Sequence, residues 1–372
     1  MAKSASANHR PAGHPPVKSG GIGILLINLG TPEGTSYGEM RRYLKEFLSD
    51  RRVIEVNPVV WWLVLNGIIL NTRPQRSGHA YDKIWNRERN ESPLKTITRA
   101  QAERLAARFV KTPAISVDWA MRYGKPSIGE RLARMKEEGC ERILLFPLYP
   151  QYCAATTATA LDSAYDALKK MRWQPAIRTV PPYYDAPAHI DAVAQSIARH
   201  VKGLGWKPDL HVLSFHGLPQ SYFDKGDPYY CHCMKTARLV AAKLKLPAER
   251  LRVVFQSRFG KEEWIKPYAQ DTIEKLPGEG ARNIVIAMPG FAADCVETLE
   301  EVAIGLKESF LKAGGANFSA VPCLNDSAPS IDMLETIVHK ELSGWLQQAL
   351  PLPAGLPNLT RTGARPADMG AE

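Results

Sequence analysis

Asn283-Ile284-Val285-Ile286-Ala287-Met288-Pro289-Gly290, followed by Ala292-Ala293-Asp294-Cys295-Val296-Glu297-Thr298-Leu299-Glu300-Glu301, is the stretch from which the architecture can be read. An unbroken apolar run closed by a Pro-Gly turn has the pattern of a strand buried on both faces. Residues 292–301 read as the start of a helix. Strand, turn and helix together are the unit of a parallel α/β fold, whose ligands bind beyond the carboxyl ends of the strands. Asp294, Glu297 and Glu301 stand at i, i+3 and i+7, which puts three carboxyl groups on one helical face. Two readings of that face are open. Asp294-x-x-Glu297 fits an acidic capping box at a helix start, and the same acids fit a site in a cleft.

The unit recurs along the chain. Buried strands are expected over residues 22–28, 114–120, 142–148 and 177–180, with helices over 36–48, 97–110, 127–138 and 156–171. The second half repeats the plan with strands over 210–215, 251–256, 283–288 and 318–321. Helices are expected there over 190–201, 231–244, 263–275 and 297–312, and a long amphipathic helix over 331–349. The expectation is an α/β protein of two similar flavodoxin-like or Rossmann-like lobes. Each is a four-stranded parallel sheet flanked by helices, with the active site in the cleft between them. The divisions read as a disordered tail over 1–20, an N-terminal lobe over 21–187, a C-terminal lobe over 188–330, a helix over 331–350 and a loose tail over 351–372.

Composition narrows the function classes. A chain of 372 residues with 45% hydrophobic and 23% charged content is that of a soluble globular protein with material for a large core. The net charge of +10 is partly local: residues 71–111 hold ten Lys or Arg against four Asp or Glu. That excess suits an acidic small molecule or an anionic membrane surface. No RNP motif, zinc-finger spacing or aromatic-interleaved basic patch is present, so no nucleic-acid partner is expected. Residues 1–20 lack the apolar core of a signal peptide, and the six scattered cysteines read as reduced thiols of a cytoplasmic protein.

Polar and aromatic residues gather at the expected strand ends. Asn28-Leu29-Gly30, Arg122-Tyr123, Tyr149 to Tyr152, His216, Gln256-Ser257-Arg258 and Asp294 to Glu297 all fall there. Neither G-x-x-x-x-G-K-[ST] nor a strand-ending G-x-G-x-x-G occurs, which argues against a nucleotide enzyme. His216 lies in Leu213-Ser214-Phe215-His216-Gly217-Leu218-Pro219. A lone strand-end histidine is commonly a structural hydrogen-bonding residue, but one facing carboxylates from a neighbouring strand end can bind a divalent cation or move protons. It lacks the H-E-x-x-H or paired C-x-x-C spacing of a preformed cage, so a metal there would be in transit.

With these motifs the chain resembles the ferrochelatases of bacterial type, which insert ferrous iron into a porphyrin late in haem synthesis. The resemblance spans residues 21–349. It rests on Asn28-Leu29-Gly30-Thr31-Pro32, Tyr149-Pro150-Gln151-Tyr152 followed by Thr156-Thr157, Ser214 to Pro219, Gly226-Asp227-Pro228-Tyr229, Phe255 to Arg258, and Pro289 to Glu301 in that order. It implies insertion of Fe²⁺ into protoporphyrin IX, giving protohaem and two protons. It casts His216 and Glu297 as the catalytic pair and iron site, and adds Asp294 to the catalytic set. Asp294 and Glu301 become a proton or metal relay along the helix. Substrate-binding positions would be Leu29, Arg122, Tyr123, Tyr152, Gln256, Ser257 and Trp264. Leu29 stands where some members have Met or Tyr, and Cys295 where others have His.

No cofactor is required for this chemistry, since iron is a substrate. Some members carry a [2Fe–2S] centre; Cys231-His232-Cys233 is the local candidate, a weak signal for a centre that takes four ligands. No cysteine follows Cys323, unlike members with C-terminal cluster ligands. The apolar run Pro58-Val-Val-Trp-Trp-Leu-Val-Leu-Asn-Gly-Ile-Ile-Leu70 is too short to span a bilayer. It reads as core helix or, through the resemblance, as a lip over the porphyrin cleft making peripheral contact with the inner face of the membrane. Its basic flank, Arg73, Arg76, Lys83 and Arg87, would meet propionates or anionic lipid. Two other readings stand beside this one. The first is a chelatase for coproporphyrin III or another tetrapyrrole and metal pair, and the second a non-catalytic bilobed tetrapyrrole-binding protein.

Overall fold

The computed structural model describes residues 18–112, 114–260 and 262–346. The expected tails at 1–17 and 351–372, and the end of the expected last helix at 347–350, lie outside the described residues.

In chain order the first half comprises β1 (Gly21–Gly30), α1 (Tyr37–Leu48), α2 (Pro58–Val64), α3 (Leu70–Ile84), α4 (Pro93–Arg108), β2 (Ile115–Tyr123), α5 (Ile128–Glu137), β3 (Cys140–Pro147), α6 (Thr159–Leu168) and β4 (Ala176–Thr179). The second half comprises α7 (Pro187–Lys202), β5 (Leu210–His216), α8 (Gln220–Asp224), α9 (Tyr229–Leu244), β6 (Leu251–Gln256), α10 (Ala269–Lys275), β7 (Asn283–Ala287), α11 (Lys307–Lys312), β8 (Asn317–Ala320) and α12 (Ala328–Glu341). Both sheets are four-stranded and wholly parallel, in the orders β2-β1-β3-β4 and β6-β5-β7-β8. The two lobes therefore share one topology, as the repeated pattern predicted. In each, the first strand lies inside the sheet, which is why β1 and β5 are buried without alternation.

The faces of the sheets are buried in three ways. One face of β1 and β3, through Leu25, Ile27, Ile143 and Leu145, packs on α5 and α6. One face of β5, β6 and β7, through Val212, Val254 and Ile286, packs on Val302, Leu306 and Phe310. The remaining faces share a single core in which Leu26 and Phe146 belong to the first sheet and Phe215 and Phe255 to the second. Phe215 is fully buried, so its truncation to Ala should cost roughly 3–5 kcal/mol. A fourth cluster, with Met40, Leu44, Leu70, Tyr81 and Tyr123, holds α1 and α3 over the carboxyl end of the first sheet.

Helix ends follow the sequence where caps exist. Ser36 with Glu39 and Ser127 with Glu130 form reciprocal capping boxes at α1 and α5. Elsewhere the expected helices differ. The helix expected from residue 263 begins only at Ala269, because Pro267 has no backbone donor and keeps its predecessor extended. In that span Trp264 pairs with Pro219 and Tyr268 with Phe255. Three segments are wound as π-helix: Leu65–Ile69 between α2 and α3, Ala154–Ala158 before α6, and Glu297–Leu306 before α11. Such turns are uncommon and concentrate at functional sites. Among the described residues, no helix is long and apolar enough to cross a membrane.

Candidate active site

His216 is the last residue of β5 and is partly exposed. Its Nδ1 lies 2.6 Å from the Gly217 carbonyl oxygen, and since a carbonyl only accepts, Nδ1 carries the proton. In the neutral form of the ring, Nε2 is then the lone-pair nitrogen. The turn after it needs glycine: a Cβ on Gly217 would meet the Gln256 carbonyl oxygen at 2.7 Å and the Trp264 ring at 2.9 Å. Trp264 itself is buried, its ring centroid 6.4 Å from that of His216.

Glu297 and Glu301 come from the π-helical segment. Gln256, 2% exposed at the end of β6, donates from Nε2 to the Glu297 carbonyl oxygen at 2.9 Å and accepts from Ser214 Oγ at 2.7 Å. Both polar ends of Gln256 are therefore engaged within the protein, fixing the first turn of the segment on β5 and β6. The Glu297 carboxylate lies beside the Cys295 thiol and within electrostatic reach of Tyr43 and Tyr81 of the overhanging helices. Ser257 donates from Oγ to Glu301 Oε2 at 2.6 Å, from a backbone held at φ +68°. A non-glycine residue in that region marks local strain. Burial pushes the Glu301 carboxyl up; the Ser257 hydroxyl and the charge of His216 pull it down, the charge of Glu297 raises it, and the net shift is upward. His216, Ser257, Glu297 and Glu301 are thus brought together.

Asp294 is not part of that group. It is 6% exposed, with Oδ1 accepting from Thr298 Oγ1 at 2.9 Å and the Cys323 amide at 3.3 Å. Its Oδ2 accepts from Asn325 Nδ2 at 2.6 Å. The expectation of one acidic face at 294, 297 and 301 is corrected on this point: Asp294 precedes the π-helix and is turned into the junction with the loop after β8. Nor does it cap its own helix in the expected box, since no side chain caps that start.

The first lobe presents Leu29, packed in the cluster of α1 and α3, and the pair Arg122 and Tyr123 at the end of β2. Tyr123 is fully buried and donates to Asp50 Oδ2 at 2.8 Å. Arg122 reaches the same Asp50 oxygen at 2.5 Å and Thr159 Oγ1 at 2.6 Å. Burial opposes the Asp50 charge, but bonds from Thr159, the Arg52 amide and Tyr123, with Arg122, outweigh it and hold the carboxyl below its ordinary range. Asp50 and Thr159 are not legible as site residues in the sequence, because no local spacing links residue 50 to residues 122 and 159. Tyr152 stands where the lobes meet, its amide donating to His232 Nδ1 at 3.2 Å.

The overhanging helices leave a large apolar surface. Val59, Val60, Trp62, Leu63 and Ile68 are all exposed, Trp62 by 63%, and α2 has no buried side chain. The core-helix reading of 58–70 therefore holds for the buried Leu65 and Leu70 and for the half-buried Trp61 and Ile69 packed with them. Of the basic flank, Lys83 pairs with Glu300 at 2.8 Å and Arg87 with Asp82 at 2.8 Å. Arg73 and Arg76 have no carboxylate partner among the described residues; Arg73 lies over the Phe259 ring at 5.1 Å. Burial and then Arg76 pull the Arg73 guanidinium down.

Cys231 is exposed and Cys233 buried, two residues apart on α9 and so on different sides of it. Among the described residues, no three His, Cys, Asp or Glu side chains are grouped so as to hold a metal ion.

Comparison with known proteins identifies the family of the chain. The family model described as Ferrochelatase matches residues 21–342. A ferrochelatase of Rhizobium etli is 57% identical over 92% of this chain and 100% of its own length. One of Agrobacterium fabrum is 56% identical over 90% of this chain and 98% of its own. Among solved structures, SirB from Bacillus subtilis with Fe³⁺ aligns with a TM-score of 0.52 at 12% identity, covering 88% of this chain and 98% of that one, a likeness of fold. The chain belongs to the ferrochelatase family, enzymes that insert ferrous iron into a porphyrin.

Proposed function

We propose that this chain inserts Fe²⁺ into protoporphyrin IX in the cleft between its lobes, with His216 taking the pyrrole protons and Glu297 and Glu301 compensating the charge. The observation that carries this reading is the bond from His216 Nδ1 to the Gly217 carbonyl, which turns Nε2 away from that bond, with the ring within electrostatic reach of the Glu301 carboxyl. A free porphyrin keeps two N–H protons, and iron binds all four nitrogens only after both leave. Nε2 accepts the proton of the first N–H bond and passes it to the Glu297 or Glu301 carboxylate, which frees it to take the second, and the bound Gly217 oxygen stabilises the imidazolium formed each time. Glu297 is fixed through its backbone carbonyl, and its carboxylate, beside the Cys295 thiol, meets the proton or the incoming metal. The raised Glu301 is a proton store next to it. Iron as transient cargo suits a site with few ligands.

Arg73 and Arg76, the cations of the flank without a carboxylate partner among the described residues, suit the propionate carboxylates, whereas Lys83 and Arg87 are already paired. Leu29 and the exposed side chains of residues 58–69 suit the apolar macrocycle and a membrane surface. Arg122, Tyr123, Gln256 and Trp264 act in this reading as supports of the cleft walls; Asp294 fixes the root of the π-helix. No step passes through an iron–sulfur centre. Anaerobic assay of His216→Ala with Fe²⁺ and protoporphyrin IX should show insertion abolished and porphyrin still bound; near-normal turnover would sink the assignment.

A further inference from the structure

A second cavity lies between the lobes and has none of His216, Ser257, Glu297 or Glu301 in its lining. Gln101 of α4, Tyr183, His189 of α7 and Ser330 of α12 contribute to its wall. The first three are at most 4% exposed, and four of their polar atoms have no partner among the described residues: Gln101 Oε1, Tyr183 OH, and both ring nitrogens of His189. Buried polar atoms are rarely left so. The cavity offers about 30 Å³ in which the centre of a water molecule fits, and roughly 10–15 Å³ is enough for one water.

The chemistry of the wall selects the occupant. Burial pushes His189 down to about 4, so the ring is neutral and offers one donor and one acceptor; Tyr183 offers both and Gln101 Oε1 accepts. No carboxylate lines the cavity, and burial pushes the Cys323 thiol up, keeping it protonated. A divalent cation would have no anionic ligand there, and an apolar guest would leave all four atoms unpaired. We propose that this cavity binds ordered water, about two molecules, which joins His189 and Tyr183 to Gln101 and so makes His189 and Gln101 positioning residues for the π-helix.

The link onward is fixed by hydrogen bonds. Gln101 Nε2 donates to the carbonyl oxygens of Ala292 at 3.0 Å and Asn325 at 2.8 Å, which leaves Oε1 facing the cavity wall. Asn325 in turn accepts from the Asp294 amide at 2.8 Å and donates to its carboxylate at 2.6 Å. Asp294 holds Thr298 in the first turn of the π-helix. Water on Gln101 Oε1 thereby locks the amide orientation that clamps the entry to the segment carrying Glu297.

This inference rests on Glu297 acting in the reaction, but its first test does not. A crystal structure of the full chain, at a resolution that shows ordered solvent, should place water within hydrogen-bond distance of at least two of the four atoms. A dry cavity, or a metal seen by anomalous scattering, overturns the proposal. The second test compares His189→Gln, which keeps a donor and an acceptor, with His189→Leu. The Leu variant should lose about ten-fold in kcat through misplacement of the π-helix, with KM for porphyrin unchanged, while the Gln variant stays within about two-fold of wild type. Equal losses in both, or none in either, overturn the positioning role. If His216→Ala stays active while the water is present, the catalytic assignment fails and the hydration site stands.

Discussion

Glu301 combines three influences in one carboxyl group: burial, the Ser257 hydroxyl and the charges of His216 and Glu297. Its net upward shift has a definite consequence for stability. The unfolded chain releases this proton near the ordinary value of 4.5 and the folded chain releases it later. Between those two points the folded state binds more protons, so its stability falls as pH rises and levels off above the folded value. Glu301→Gln removes that dependence. The variant should be more stable than wild type at neutral pH, the difference closing as pH falls below the ordinary carboxyl range, while insertion drops by about 100-fold through loss of the proposed proton store. Thermal melts of both proteins across pH check the first half; a variant less stable than wild type at neutral pH would show the carboxylate to be a structural anchor. The sequence marked His216 and Glu297 as candidates because a histidine and acids at strand ends are visible as residue types, and Glu301 through its helical spacing from Glu297. It did not distinguish Asp294 from its neighbours, since whether a carboxylate is consumed by Asn325 and Thr298 depends on a loop about thirty residues further along.

The element that sets the site is the π-helical segment Glu297–Leu306. Its helical character was legible from the apolar spacing, but its register was not, because π winding shifts side chains away from the 3.6-residue period without a residue signature of its own. The expected helix start at residue 263 failed for a related reason: the acidic and aromatic residues there suit a helix, and Pro267 overrode them. What ties the segment down is Gln256, whose amide joins β5, β6 and the Glu297 carbonyl. Gln256→Leu keeps the approximate volume and leaves the Ser214 hydroxyl and that carbonyl without partners in a site that is 2% exposed. The expected cost is roughly 2–4 kcal/mol, read as a lowered denaturant midpoint, with loss of insertion activity at the same time. A comparable anchor in the other lobe is Asp50. Asp50→Asn should cost about 2–3 kcal/mol at neutral pH; because the wild-type carboxyl is held low, the difference should shrink as pH falls through that range. A pH-independent difference would mean that shape, not charge, is what Asp50 supplies.

At the scale of the molecule, the two parallel sheets were legible because their inner strands β1, β3, β5 and β7 are largely buried and carry apolar runs, and eight strand candidates alternate with helical patterns. The lip was harder, since periodicity alone does not tell a buried apolar helix from an exposed one. The structure separates them: Trp61 is turned inward and donates from Nε1 to the Leu48 carbonyl at 2.6 Å, while Trp62 and Leu63 face outward. An exposed patch of this kind, beside two arginines without carboxylate partners among the described residues, fits an interfacial site rather than a solvated surface. Burying Trp62 and Leu63 in the interface is worth roughly 1.5–3 kcal/mol each, and each basic residue near an anionic surface adds about 1 kcal/mol. The double substitution Trp62→Ser and Leu63→Ser should therefore abolish flotation with vesicles containing phosphatidylserine, while changing stability by no more than about 0.5 kcal/mol, as both side chains are exposed. Arg73→Gln with Arg76→Gln should weaken flotation chiefly at low salt, because added salt already screens that contribution in the wild type. Wild-type protein that fails to float even at low salt would exclude the membrane as a partner of this surface and leave the apolar lip to the porphyrin alone.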